Sequence, residues 1–201
     1  MNVASDRDVA AFEARAQGYE QGWLGQLHHE IAERTAELVA SSGPPPRRVL
    51  DVGCGTGYLL RVLAGRFPDA DELAGLDPAP SMVEVATAAA HDDRICLSVG
   101  VAEEIPYADQ TFDLVVSTTS FDHWSDQLPG LRECKRVLRP RGRLVLVDQF
   151  SRWLAPTLLV GRRGKARTEA RCERLLRSAG FQQLTWHDVY AVIIHAVMAT
   201  A

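Results

Sequence analysis

Two carboxylates bracket a run of glycines. Asp51 stands near the end of the apolar stretch Val49–Val52, the turn Gly53-Cys54-Gly55-Thr56-Gly57 follows, and Asp77 comes 20 residues after Gly57. Glycines in such a turn let the backbone approach a ligand closely and aim amide N–H groups at it. A carboxylate about 20 residues further on can accept hydrogen bonds from both hydroxyls of a ribose. The chemistry implied is recognition of a nucleoside-bearing molecule. The spacing is G-x-G-x-G, with Tyr58 where the dinucleotide fingerprint G-x-G-x-x-G has its third glycine.

Groups able to move a proton lie elsewhere in the chain. His123, Asp122, His28 and, more remotely, Tyr19 are candidate bases, with His123 and His28 as the catalytic candidates. His28 and His29 are neighbours in sequence rather than one helical turn apart, so they are poorly placed to share a metal. The four cysteines, Cys54, Cys96, Cys134 and Cys172, form no C-x-x-C pair. They read as small buried apolar side chains, and no metal site is expected. His195, inside the apolar run VIIHAVM, reads as a sheet residue.

Strands and helices must alternate to hold these groups. Before residue 41 a helix is expected, with Trp23, Leu27, Ile31, Leu38 and Val39 along one stripe, and Ser41–Pro46 as a linker. Val49–Val52, Leu73–Leu76, Ile95–Val99, Phe112–Ser117 and Arg143–Asp148 read as strands. Helices fall after the glycine turn, over Ser81–Ala90 with Ser81 as cap, over Gln127–Leu138, and after a Thr168 cap, with Gly180 ending the last. Leu184–His187 and Tyr190–Met198 leave room only for a tight turn and therefore form an antiparallel hairpin. The expected fold is a single α/β doubly wound, Rossmann-like domain with a seven-stranded, mostly parallel sheet and helices on both faces. Within it we distinguish a helical cap and linker (1–46), a core (47–150), an insertion (151–167) and a helix with terminal hairpin (168–201).

VLDVGCGTG, then GLDPAPSMVEVA, VAEEIPYADQTFDLVVS and RECKRVLRPRGRLVLVD resemble, in order and spacing, the successive motifs of class I S-adenosylmethionine-dependent methyltransferases. The likeness is strong over 47–150 and looser through LLRSAGF to the end. It implies S-adenosylmethionine as cofactor, without a metal. Asp51, Gly53 and Gly55 would hold its methionine end, with Cys54 and Gly57 also among the cofactor-binding residues, Asp77 on the ribose and Pro78 and Met82 near the adenine. The family often carries an acid where this chain has Val101, so adenine recognition would rest on Ala102, Glu103 or Glu104 and on packing. Thr118, Thr119, Ser120, His123 and Trp124 would flank the sulfonium and the acceptor, and Tyr19 and His28 would come from an N-terminal helix that closes over the cofactor.

Bulk properties narrow the acceptor. A net charge of −4 does not draw the chain onto nucleic acid or an anionic membrane. No apolar run approaches the roughly 18 residues of a membrane span. The polar N-terminus lacks a signal-peptide profile, which with the unpaired cysteines implies the cytoplasm. A small-molecule acceptor is expected, apolar if Trp153, Leu154, Leu158 and Leu159 form a lid, anionic if Arg162, Arg163 and Lys165 receive it. The atom methylated stays open, as does monomer against homodimer. Two other readings remain: a non-catalytic S-adenosylmethionine-binding protein, and an NAD(P)-dependent oxidoreductase, the latter opposed by Tyr58.

Overall fold

The computed structural model describes residues 9–150, 168–191 and 194–201. The insertion 151–167, with its expected lid and basic run, lies outside them. Seven strands, β1 (Arg48–Val52), β2 (Glu72–Asp77), β3 (Ile95–Val99), β4 (Phe112–Thr118), β5 (Leu138–Gln149), β6 (Gln182–Tyr190) and β7 (Ile194–Thr200), form one sheet in the order β3-β2-β1-β4-β5-β7-β6. The first five run parallel, and β7 is inserted antiparallel to both β5 and β6. The expected fold class is what the structure shows. Chain order reverses between β1 and β4, so a crevice opens at their carboxyl ends, where an open α/β sheet takes its ligand.

Period-two alternation sorts the sheet into two cores. On one face Leu50, Val115, Leu144, Leu146 and Val197 meet Leu131, Cys134 and Val137 of α4 (Gln127–Val137) and Cys172 and Leu176 of α5 (Glu169–Ser178). On the other, Val49, Leu114, Val116, Val145 and Val147 meet α1 (Gly22–Ser41) and α2 (Tyr58–Arg66) through Ile31, Val39, Leu60 and Leu63. Each such side chain removed from water contributes about 1.5–3 kcal/mol. Helix α3 (Pro80–Ala89) packs Met82 and Ala86 inward.

Five local expectations need correction. Trp23 is 76% exposed, and the buried face of α1 is Ile31, Ala32, Thr35, Ala36 and Val39. Each four-residue step overshoots a turn by about 40°, so two steps back from Ile31 carry Trp23 off the inward face. Ser81 does not cap α3, because Ala79 holds that position and Pro80 opens the helix. The Ser81 amide and hydroxyl both donate instead to the Glu13 carboxylate. Cys96, on the edge strand β3, is exposed, unlike the other three cysteines. β5 begins at Leu138 rather than Arg143, since Leu138 pairs with Phe112 ahead of an irregularity. Finally, the terminal hairpin turns after Tyr190: Asp188, a turn-former by type, pairs with His195 inside the ladder. Thr168 caps α5 as expected, accepting from the Arg171 amide.

Candidate active site

The glycine turn is fixed before any ligand arrives. Gly53 and Cys54 donate their amides to the Leu76 carbonyl at 2.7 and 3.1 Å, which pins the turn to the end of β2. Gly53 has φ +78°, and a Cβ there would lie 2.2 Å from Ser120 Oγ, so the position excludes every other residue on two counts. Gly57, at φ +73°, forms the left-handed entry to α2.

Asp77 holds the turn from below. One carboxylate oxygen accepts from the Gly55 amide and the other from the Ala79 amide, both at 2.9 Å. The carboxylate thus joins the first glycine turn to the start of α3. Each oxygen keeps acceptor capacity for a further donor. Burial raises its pKa while the two amides oppose the rise.

These elements shape a cleft with two connected lobes that share Tyr19, Gly53, Gly55, Thr118 and Thr119. The first spans about 740 Å³, counting the space open to solvent at its mouth. Asp77, Pro78 and Met82 form one wall, Val101, Ala102 and Glu103 a second, and Phe12, His123 and Trp124 a third. The second lobe is lined by Asp51, Cys54, Thr56, Glu20, His28 and His29. Of the described residues named from sequence for the cofactor, the acceptor and proton transfer, all line the cleft except Glu104, the candidate base Asp122, and Gly57, which serves the backbone. The two catalytic candidates are separated, His123 in the first lobe and His28 in the second.

Electrostatics differ between the lobes. Asp51 is buried, its Oδ1 has no hydrogen-bond partner among the described residues, and burial together with the nearby Asp77 charge pushes its pKa up to about 8. The Tyr19 phenol is pushed up to about 12, chiefly by burial. His28 packs on the Tyr19 ring at 5.0 Å, tilted 31°, and burial lowers its pKa, with His29 and Arg15 adding to the effect. His123 meets Phe12 edge to face at 5.1 Å.

Two features of the wall after β4 carry no sequence signal. Thr119 has φ +52°, a region that a β-branched residue rarely enters, and its amide donates to the Val147 carbonyl at 2.8 Å. Ser120 is a hub: its hydroxyl donates to the Val52 carbonyl at 2.9 Å, lies 2.7 Å from Ser117 Oγ, and accepts from Trp124 Nε1 at 3.3 Å. Trp124 is also packed edge to face on Phe121, so it both supports the wall and lines the lobe.

Comparison with known proteins agrees with this geometry. Residues 50–146 match the methyltransferase-domain family. The chain is 40% identical over 136 residues to a malonyl-[acyl-carrier protein] O-methyltransferase of Methylococcus capsulatus, which covers 67% of this chain and 48% of that protein. It is 36% identical over 116 residues to a demethylmenaquinone methyltransferase of Thermotoga maritima, covering 58% and 48%. The chain thus spans about half the length of these curated relatives. Among solved structures, a chain from the complex of the Haloferax volcanii Trm112 methyltransferase activator with a methyltransferase superposes with TM-score 0.81 at 20% identity, over 97% of this chain and 96% of that one. A SAM-dependent methyltransferase from Aquifex aeolicus gives 0.74 at 19%, over 94% and 97%. These two likenesses concern the fold, whereas the family match and the curated relatives concern the glycine turn and the strands after it. Residues 50–146 therefore match a methyltransferase domain, and the motifs, fold and relatives support placing the chain with the class I S-adenosylmethionine-dependent methyltransferases.

Proposed function

We propose that this chain transfers a methyl group from S-adenosylmethionine to a small-molecule acceptor by in-line displacement. The observation that carries the reading is the pairing of carboxylates with lobes, Asp77 in the first and the unpartnered Asp51 in the second. A nucleoside joined to an amino acid presents ribose hydroxyls to one and an ammonium to the other. The turn between them has room at Gly55, where a Cβ would meet no atom within 4 Å.

In this reading Pro78 and Met82 pack against the adenine, and the Ala102 amide and the Glu103 side chain offer it polar contacts in place of an acid at Val101. The Glu103 Oε1 accepts from the Asp126 amide at 2.7 Å, which holds the carboxylate in place while leaving it acceptor capacity. Gly53, Cys54 and Gly55 offer backbone groups to the methionine part, and Tyr19 closes over it from the N-terminal segment. When bound, S-adenosylmethionine supplies an electrophilic methyl group on a sulfonium centre. The residues' work is to orient the acceptor and exclude water. Thr118 and Thr119 belong to both lobes and stand where the two halves of the cofactor meet. His123, between Phe12 and Trp124, is the base for an acceptor that must lose a proton.

The two curated relatives are named for unlike acceptors, an acyl-carrier-protein malonyl group and a demethylmenaquinone. For this chain the aromatic wall of Phe12 and Trp124 favours an acceptor with an apolar body. The division into cap, core, insertion and terminal hairpin belongs to the same proposal. So does a cytoplasmic location, which the free thiols support. Calorimetric titration with S-adenosylhomocysteine, alongside NAD, tests the cofactor. Binding of the first and not the second is expected, and the reverse result overturns the reading. S-adenosylhomocysteine formation across quinol, phenol and acyl-carboxylate acceptors then tests turnover. Binding without turnover on any of them would favour a non-catalytic binding protein.

A further inference from the structure

The second lobe must satisfy both ends of an α-amino acid, and only one end has been accounted for. A zwitterion brings an ammonium and a carboxylate into a site where burying either without a partner is costly. Asp51 meets the ammonium. The other charged or titratable side chains among the described residues of that lobe are Glu20, His28, His29, Cys54, Tyr58 and Tyr19. Glu20 has the wrong sign, and Cys54 and Tyr19 are held neutral by burial.

The two histidines differ in what they already do. His29 lies flat on the Tyr58 ring, 3.7 Å between centroids and 9° between planes, with Nε2 3.3 Å from Glu20 Oε2. Glu20 is in turn paired with Arg61 at 2.8 Å, so His29 is part of a latch between α1 and α2. His28 has no such tie. Its Nδ1 is buried and has no hydrogen-bond partner among the described residues. Asp51 Oδ1 and His28 Nδ1 are therefore partnerless buried polar atoms lining the same lobe, one an acceptor and the other able to donate. His29 Nε2 also makes no hydrogen bond among the described residues, but it faces the Glu20 carboxylate at 3.3 Å.

We propose that His28 receives the carboxylate of the cofactor's methionine moiety, opposite Asp51 on its ammonium, and is a binding residue rather than the catalytic base. The assignment rests on the S-adenosylmethionine reading above. Tyr19, His29 and Arg15 are the groups that face or influence His28, none of them an anion, and the Glu20 carboxylate of the same lobe is paired with His29 and Arg61. A bound carboxylate favours the imidazolium. The His28 titration midpoint therefore rises on binding, and the contribution of His28 to affinity is lost as pH climbs through that raised midpoint.

Arg15 is the alternative cation. Its Nε donates to the Ala11 carbonyl at 3.0 Å and its guanidinium lies 5.0 Å from the Phe12 ring centroid, which commits it to the N-terminal segment.

The test compares S-adenosylhomocysteine with 5′-methylthioadenosine, which lacks the amino-acid end, on wild type, His28→Gln and Arg15→Gln. We expect His28→Gln to weaken S-adenosylhomocysteine by roughly ten- to a hundredfold, with the affinity for 5′-methylthioadenosine unchanged and Arg15→Gln without effect on the ratio. Independently, NMR titration of His28 in the wild-type protein should show its midpoint rising by about one pH unit or more with S-adenosylhomocysteine, but not with 5′-methylthioadenosine. An unchanged ratio in His28→Gln with a static His28 midpoint overturns the assignment, and a ratio lost only in Arg15→Gln moves the carboxylate to Arg15. Failure of wild type to bind either nucleoside instead removes the cofactor reading itself.

Discussion

Gly53 and Ser120 occupy one another's space: the Ser120 hydroxyl sits where the first carbon of any side chain at 53 would be, 2.2 Å away. The contact joins the turn after β1 to the wall after β4, which are the two sides of the cleft. The same hydroxyl is hydrogen-bonded to the Val52 carbonyl, so the two sides are held at a fixed spacing.

Gly53→Ala should therefore act on binding as well as on stability. The alanine meets Ser120 and is strained at φ +78°. The expected outcome is a loss of at least about 1 kcal/mol of stability and a large fall in S-adenosylhomocysteine affinity. Adding Ser120→Gly removes the clash but not the strain, so the double variant should recover binding only in part. Full recovery would show that backbone strain at 53 is unimportant.

Asp77→Asn separates two uses of one side chain. In the empty protein Asp77 accepts two backbone amides, and an asparagine must turn its NH₂ toward one of them. Leaving that amide unpaired costs about 1–3 kcal/mol, read as a lowered denaturation midpoint without ligand. If the ribose also depends on Asp77, affinity for 5′-methylthioadenosine falls beyond what the local disorder explains, whereas affinity for free methionine-like fragments does not.

How far the sequence discloses this site follows from what kind of feature each part is. Asp51, the glycines and Asp77 are readable because their function depends on residue type at fixed spacing along the chain. The ribose role of Asp77 is readable from its spacing, whereas its hold on the Gly55 amide, 22 residues back, exists only once β1 and β2 lie side by side. Ser120 and Thr119 were not readable as a hub and a strained residue, since their partners Val52 and Val147 lie on other strands. Trp23 and the hairpin turn misled for a related reason. Local periodicity and turn propensity cannot register where a helix meets the sheet or how β6 pairs with β7. His28 and His29 are adjacent in sequence, and only packing distinguishes the stacked one from the one without a partner.

Asp51 gives the empty protein a pH dependence opposite to that of an ordinary ion-paired carboxylate. Its folded pKa is raised to about 8, above the unfolded value near 3.8. Between these values the folded state holds a proton that the unfolded state has released, so this residue's contribution turns less favourable as pH rises from about 4 to about 8. Asp51→Asn should flatten that slope and raise the thermal midpoint of the empty protein at pH 8, while weakening S-adenosylhomocysteine. A slope identical to wild type would mean that Asp51 is ionised in the empty site.

Phe121 tests the support beneath the aromatic wall. It is fully buried, 5.0 Å from the Trp124 ring and 6.3 Å from Phe150 by centroid. Phe121→Ala should cost about 3–5 kcal/mol in denaturant unfolding. Phe121→Leu should cost less and keep S-adenosylhomocysteine binding, because Asp51 and Asp77 stand on β1 and β2, away from the short helical turn that carries Phe121.

His123 is where binding and turnover should part. It lines the first lobe beside Phe12 and Trp124, whereas Asp51 and His28 line the second. If it removes the acceptor's proton, His123→Asn lowers kcat by about 10²–10⁴-fold for an acceptor that must ionise and leaves S-adenosylhomocysteine affinity within a factor of about two. The same variant should lose little on an acceptor already anionic at the assay pH, such as a carboxylate, because no proton has to be taken. Equal losses on both kinds of acceptor would make His123 a positioning residue for the Phe12 wall. A loss confined to the protonated acceptor, with a changed acid limb of its pH–rate profile, would identify it as the base.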